Sequence, residues 1–64
     1  MEEFVEQFVK VFSEQRINKY GVILSTIYGH LCEIYKNSIK SRYEIEAMAY
    51  EIANRIMFRL NIND

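Results

Sequence analysis

Apolar residues recur along the first part of the chain with the period of one helical face. They stand at i, i+1, i+4, i+5, i+7 and i+8, and mostly polar side chains fill the positions between them. At about 100° per residue the apolar set covers an arc of roughly 160°, which is a wide core-facing stripe. The pattern predicts a helix over about 2–16 with a stripe formed by Phe4, Val5, Phe8, Val9, Val11 and Phe12.

The apolar stripe is interrupted near residues 18–21, and a second helical pattern follows. Asn18 can cap a helix, and Gly21 can adopt a positive φ, so we expect the break there. The next stripe predicts a helix over about 22–36 and consists of Ile23, Leu24, Ile27, Leu31 and Ile34. Gly21, Ser25 and Gly29 stand four residues apart on its flank, which favours close packing or a turn.

The third segment has the clearest start. Ser41 and Glu44 match the capping box S-x-x-E, which predicts a helix over about 42–60. This helix has two apolar faces. The first seam consists of Ile45, Ala49, Ile52, Ile56 and Leu60, and the second flank of Tyr43, Ala47, Tyr50, Met57 and Phe58. A helix that is apolar on two sides is central in a bundle or shared with a partner.

Length and cysteine content bear on how such helices are stabilised. The 64 residues suffice for one all-α domain over 1–64, with a small core. A single cysteine excludes an intrachain disulfide, and Cys32 with His30 cannot form a zinc site alone. Oligomerisation is therefore the remaining source of further stability, unless the helices pack unusually well. We therefore predict a homodimeric helical bundle whose interface is the first seam.

The net charge and the hydropathy of the chain indicate which classes of partner it is suited to bind. Eight Lys and Arg oppose nine Asp and Glu, so the total charge does not favour nucleic acid or an anionic membrane. The start Met1-Glu2-Glu3 is unlike the basic start of a signal peptide. Apolar runs fall far short of the about 20 residues of a membrane span. These features predict a cytoplasmic protein without membrane attachment.

Groups able to carry catalysis are few. His30 and Cys32, each the sole residue of its type, project about 200° apart on a helix and cannot form a nucleophile–base pair within one chain. No phosphate-binding loop or His-x-x-x-His spacing occurs. A metal site shared between subunits by His30 and Glu33 stays open as an alternative to an ordinary surface histidine. We expect no enzyme activity and no cofactor.

A short motif in the second segment suggests a different function. Ser-Thr-Ile-Tyr-x-His-Leu at residues 25–31, after Gly21-Val22, resembles the turn and recognition helix of the TetR-like repressor family. The resemblance covers eleven residues and implies a helix-turn-helix at 17–31. It implies that Gly21 makes the turn, that Val22 and Ile27 are buried, and that DNA is contacted by Ser25, Thr26, Tyr28 and His30. The segment from Val22 to Glu33 contains no Lys or Arg.

The turn between the second and third segments concentrates cations and tyrosines. Three cations and no acid lie between Glu33 and Glu44, a combination that suits an acidic protein surface or a phosphate backbone. A solvated turn whose lysines complement the end of the preceding helix is the alternative. The candidate partner-binding residues are Tyr28, Tyr35, Lys36, Lys40, Arg42 and Tyr43.

These observations together favour a small protein-binding regulator. An adaptor or inhibitor, of the kind that phages and mobile elements encode, fits the small size, the lack of catalytic groups and the surplus of aromatic residues. A transcriptional regulator that binds DNA through a degenerate helix-turn-helix is the alternative.

Overall fold

The computed structural model describes residues 2–61, and these form three helices. The helices are α1 (Glu2–Glu14), α2 (Tyr20–Ile34) and α3 (Arg42–Arg59), with no strand among the described residues. The prediction of an all-α, three-helix fold is therefore confirmed. The homodimeric part of that prediction concerns a second chain and stays a prediction.

The end of α1 differs from the prediction in position and in the residue responsible. Arg16 adopts a positive φ of 57°. Its amide donates to the Ser13 carbonyl at 3.2 Å, and the amide of Ile17 donates to the Phe12 carbonyl at 2.9 Å. This pair of bonds is a Schellman motif, which satisfies the last carbonyls of a helix. It ends α1 at Glu14, two residues earlier than predicted.

Gly21 and Asn18 do not have the roles that the sequence suggested. Gly21 lies inside α2 with an ordinary negative φ, so it makes no turn. The N-cap of α2 is Lys19, and no side chain caps the helix there. The left-handed position falls on Arg16, two residues after the last residue of α1. Residues 15–19 separate the two helices, so the predicted break at 18–21 overlaps the observed one at Asn18 and Lys19 and extends two residues too far.

A glycine at position 16 tests the energetic cost of this geometry. A left-handed conformation costs an L-residue about 1 kcal/mol, and glycine avoids that cost. We expect Arg16→Gly to raise the free energy of unfolding by about 0.5–1 kcal/mol, measured by urea denaturation at a fixed protein concentration. Arg16→Ala removes the same charge but keeps the Cβ atom, so it should show no such gain. Equal stabilities for the two variants would contradict the explanation.

The start of α3 agrees with the sequence. Ser41 is the N-cap, and its hydroxyl accepts a hydrogen bond from the Glu44 amide at 3.2 Å. The Glu44 carboxylate lies 3.7 Å from Lys40 Nζ, so its charge is directed at the preceding turn. Helix α3 therefore begins at Arg42, the residue that follows this cap.

The core is built mainly where α2 and α3 pack together, and α1 completes it. Ile23, Ile27 and Leu31 of α2 recur every four residues and are all buried. From α1 only Val5 and Phe12 are buried, while the other members of its predicted stripe stay partly exposed. The α3 contribution consists of Ile45, Ala49, Ile52, Ala53, Ile56 and Met57.

Candidate protein-binding surface

The predicted oligomer interface lies inside a single chain. Ile45, Ala49, Ile52 and Ile56 are at most 8% exposed and belong to the core, and Leu60 is half-buried against it. The first seam therefore packs against α2 and α1 of its own chain. This corrects its assignment to an interface, because side chains that are already covered offer little surface to a second molecule.

The second flank of α3 is the face that solvent reaches. We call Tyr43, Ala47, Tyr50, Asn54 and Phe58 the outer stripe. Their spacing of 4, 3, 4 and 4 residues places them on one side of the helix. Tyr43 is 81% exposed, Tyr50 51% and Phe58 82%. Met57, which the sequence grouped with this flank, is buried instead.

The buried seam and the outer stripe of α3 differ in the types of amino acid that they contain. The buried seam is aliphatic, with Ile at three positions and Ala at one. The outer stripe combines aromatic rings with an amide, Asn54, and a small residue, Ala47. Large aromatics next to polar groups are more typical of binding surfaces than of cores. Of the outer stripe, only Tyr43 was among the partner-binding residues predicted from the sequence.

Two grooves border the outer stripe. Towards α2 lies a groove of about 200 Å³, lined by Leu24, Tyr28 and Tyr50 among others. Towards α1 lies a wider groove of about 580 Å³, lined by Val5 and Phe58 among others. The α2 groove reaches residues 46–50 of α3 and the α1 groove reaches residues 51–59, so each groove borders a different half of the stripe. Side chains of another helix can pack into such depressions.

Ion pairs form one wall of the wider groove. Both terminal guanidinium nitrogens of Arg59 contact the Glu6 carboxylate, one of them at 3.1 Å. Arg55 lies 3.5 Å from Glu2 and 3.3 Å from Glu51. The hydrogen bond from Arg59 lowers the pKa of Glu6, and the same bond raises the pKa of Arg59. Any stabilisation by this pair is present above the ordinary pKa of glutamate and is lost as the pH falls through the lowered pKa.

The cations of the turn before α3 have partners close by. Lys36 Nζ lies 2.9 Å from the Glu33 carboxylate. Lys40 Nζ lies 5.2 Å from the centre of the Tyr35 ring and also faces Glu44. These contacts favour a locally compensated, solvated turn over a concentrated basic patch.

The predicted partner-binding residues do not form one site. Tyr28 lines the narrow groove, and Tyr43 belongs to the outer stripe. Tyr35 is half-buried beneath Lys40, while Arg42 is exposed at the first position of α3. The structure therefore brings Tyr28 and Tyr43 to the same side as Tyr50 and leaves the lysines in the turn.

The resemblance to the repressor family implies four DNA-contacting residues, and these residues do not share one surface. Ser25 is exposed, and Tyr28 faces the α3 groove. The Thr26 hydroxyl donates to the Val22 carbonyl at 2.8 Å, within α2 itself. His30 packs edge-on against Phe8 of α1, with ring centres 4.9 Å apart.

The resemblance is confirmed at one buried position and fails at two others. Ile27 is fully buried, as it implies. Val22 is 45% exposed, and Gly21 is helical, so neither has the implied role. The cause is that α2 begins at Tyr20, which places the supposed turn inside the helix.

No group of three or more His, Cys, Asp or Glu side chains within residues 2–61 is arranged to hold a metal ion. None of the helices of the described chain is long and apolar enough to cross a membrane.

Comparison of the chain with protein-family models, with curated protein sequences and with solved structures gives no match. The functional argument therefore depends on the fold and on the surface just described.

Proposed function

We propose that this chain is a small, non-catalytic regulator, an adaptor or an inhibitor, that binds another protein through the outer stripe of α3. The observation that carries the proposal is the exposure of Tyr43, Tyr50 and Phe58 along one side of a single helix. Aromatic side chains dominate interface energetics because each offers a large, rigid apolar area. An exposed row of them is costly in water and is typical of binding sites.

The shape of the surface favours a helical partner. The outer stripe runs along α3 from Tyr43 to Phe58, with the α2 groove beside its first half and the α1 groove beside its second half. An amphipathic helix places anchors at i, i+3, i+4 and i+7, which suits a ridge bordered by such grooves. Glu51 and Arg55 lie at the edge of the outer stripe and carry charges of opposite sign. The expected partner helix therefore has an uncharged apolar face that is bordered by both acidic and basic side chains.

Variants of the stripe test this proposal directly. In the native host, tagged wild-type chain is compared with a Tyr43→Ser, Phe58→Ser double variant. Val22→Ser is the matched control, because Val22 is 45% exposed on α2. Circular dichroism verifies that all three chains are folded.

The expected result is a host protein that co-purifies with the wild type and the control and is at least tenfold depleted with the double variant. A loss of that order corresponds to about 1.4 kcal/mol of binding free energy, which is modest for two aromatic anchors. A partner that is retained equally by all three chains would exclude the outer stripe as the binding surface.

DNA binding through α2 is the second candidate, and the exposure of Ser25 and His30 is the observation that favours it. Against it, α2 contains no Lys or Arg from Tyr20 to Ile34, although phosphate neutralisation supplies much of DNA affinity. The check is binding to random duplex DNA at low salt, where electrostatic affinity is greatest. Absence of binding there would exclude this function.

A further inference from the structure

We propose that a second copy of this chain binds the outer stripe, with the two α3 helices antiparallel about a two-fold axis near Tyr50. The inference rests on the proposed function of the stripe as a protein-binding surface, and it names one occupant of that surface. Three features of α3 support it: the order of side-chain sizes, the helix dipole, and the amount of apolar surface left uncovered.

The order of side-chain sizes in the outer stripe is nearly symmetric. From Tyr43 to Phe58 it reads aromatic, small, aromatic, amide, aromatic, and the amide is Asn54. A two-fold interface requires a surface to fit a reversed copy of itself. In the antiparallel arrangement Tyr43 faces Phe58 of the second copy, and Tyr50 meets its own symmetry mate. Ala47 faces Asn54 of the second copy. Neither residue carries a ring, so both leave room for the aromatic rings beside them.

The helix dipoles favour the antiparallel direction, because they oppose each other in an antiparallel pair and point the same way in a parallel one. The side-chain charges of α3 do not decide the direction, since Arg55 and Arg59 pair with Glu2 and Glu6 of α1 in the same chain.

The uncovered aromatic area is about half of what a standard dimer interface buries. At 81%, 51% and 82% exposure, the three aromatic residues present roughly 400 Å² per chain, since a fully buried ring covers about 150–250 Å². A standard interface buries about 800 Å² per partner, so the rings supply about half, and flanking side chains must supply the rest. A chain this short also has a small core, which a dimer would supplement. We therefore expect dissociation in the micromolar range.

Analytical ultracentrifugation over a concentration series tests the dimer. The wild type is expected to pass from monomer to dimer between about 1 and 100 μM. Phe58→Ser should weaken the association at least tenfold, whereas the control Val22→Ser should change it less than twofold. A folded wild-type monomer throughout this range would overturn the proposal.

Disulfide trapping tests the direction of the helices with milder substitutions. In a Cys32→Ser background, Ala47→Cys and Asn54→Cys chains are oxidised alone and as a mixture. Positions 47 and 54 are seven residues apart, about 10.5 Å along a helix, whereas a disulfide joins Cα atoms about 4.4–6.8 Å apart. The antiparallel pair predicts cross-linking in the mixture and little in either chain alone. Cross-linking of each chain to itself would show a parallel pair and overturn the antiparallel arrangement.

The two proposals fail in different ways. If the wild type stays monomeric while the host partner is still lost with the stripe variant, the second copy is excluded and the protein-binding surface stands. If the dimer forms and no host partner depends on the stripe, self-association is the use of this surface, and the regulatory function fails.

Discussion

Replacing Phe12 by alanine is expected to unfold the chain. Phe12 is 1% exposed and belongs to the core that α1 shares with α2 and α3. Removal of a buried phenylalanine side chain costs about 3–5 kcal/mol, because burial is lost and a cavity remains. A core of this size supplies a net stability of about the same magnitude. The folded population should therefore largely disappear at 25 °C, and the helical circular dichroism signal should fall with it.

Phe58 provides the matched control for this prediction. It is the same residue type on a helix of the same fold, but it is 82% exposed. Phe58→Ala should therefore change the free energy of unfolding of the monomer by less than about 0.5 kcal/mol. The comparison is made at low micromolar concentration, so that self-association contributes little. Similar losses for the two phenylalanines would contradict the placement of α1.

The second large effect is expected from adding volume at Ala53. This residue is fully buried, with an exposed fraction of 0%, on the side of α3 that faces the core. A leucine there must displace closely packed neighbours, which costs about 1–3 kcal/mol. Chemical denaturation of Ala53→Leu should show a loss of that size without a change in the slope with denaturant.

Ala47 is the corresponding control on the exposed side of the same helix. Alanine and leucine have similar helix propensities, so Ala47→Leu should leave the stability of the monomer within about 0.5 kcal/mol of the wild type. Equal destabilisation at positions 47 and 53 would mean that the two faces of α3 are not divided as described.

The sequence alone predicted the number and type of the helices because periodicity and capping are local properties. The Ser41 cap was predictable, since its hydroxyl needs only the amide of Glu44, three residues away. The start of α2 was not predictable in this way, because Gly21 and Asn18 offered plausible local signals, whereas the actual N-cap, Lys19, makes no side-chain cap that would mark it. Arg16 gave no signal, since arginine is a rare choice for a left-handed position.

The candidate surface was only partly predictable for a related reason. Periodicity shows that α3 has two apolar faces, and it does not show which one the other helices cover. The prediction placed the interface on the first seam, which proved to be the core, while the exposed face carries Tyr50 and Phe58. Similarly, the cations near Tyr35 suggested a patch, but their pairing with Glu33 and Glu44 depends on how the turn folds.

The attachment of α1 has a consequence for how the protein responds to its solvent. On the α3 side, carboxylates at the start of α1 pair with Arg55 and Arg59, and these contacts weaken as mobile ions screen them. On the α2 side, Phe8 packs against His30, an apolar contact that salts such as sulfate strengthen. The two edges of one helix therefore respond in opposite directions to added sulfate. Sulfate weakens the charged contacts of α1 and strengthens its aromatic contact, so its net effect on stability is smaller than the larger of the two effects.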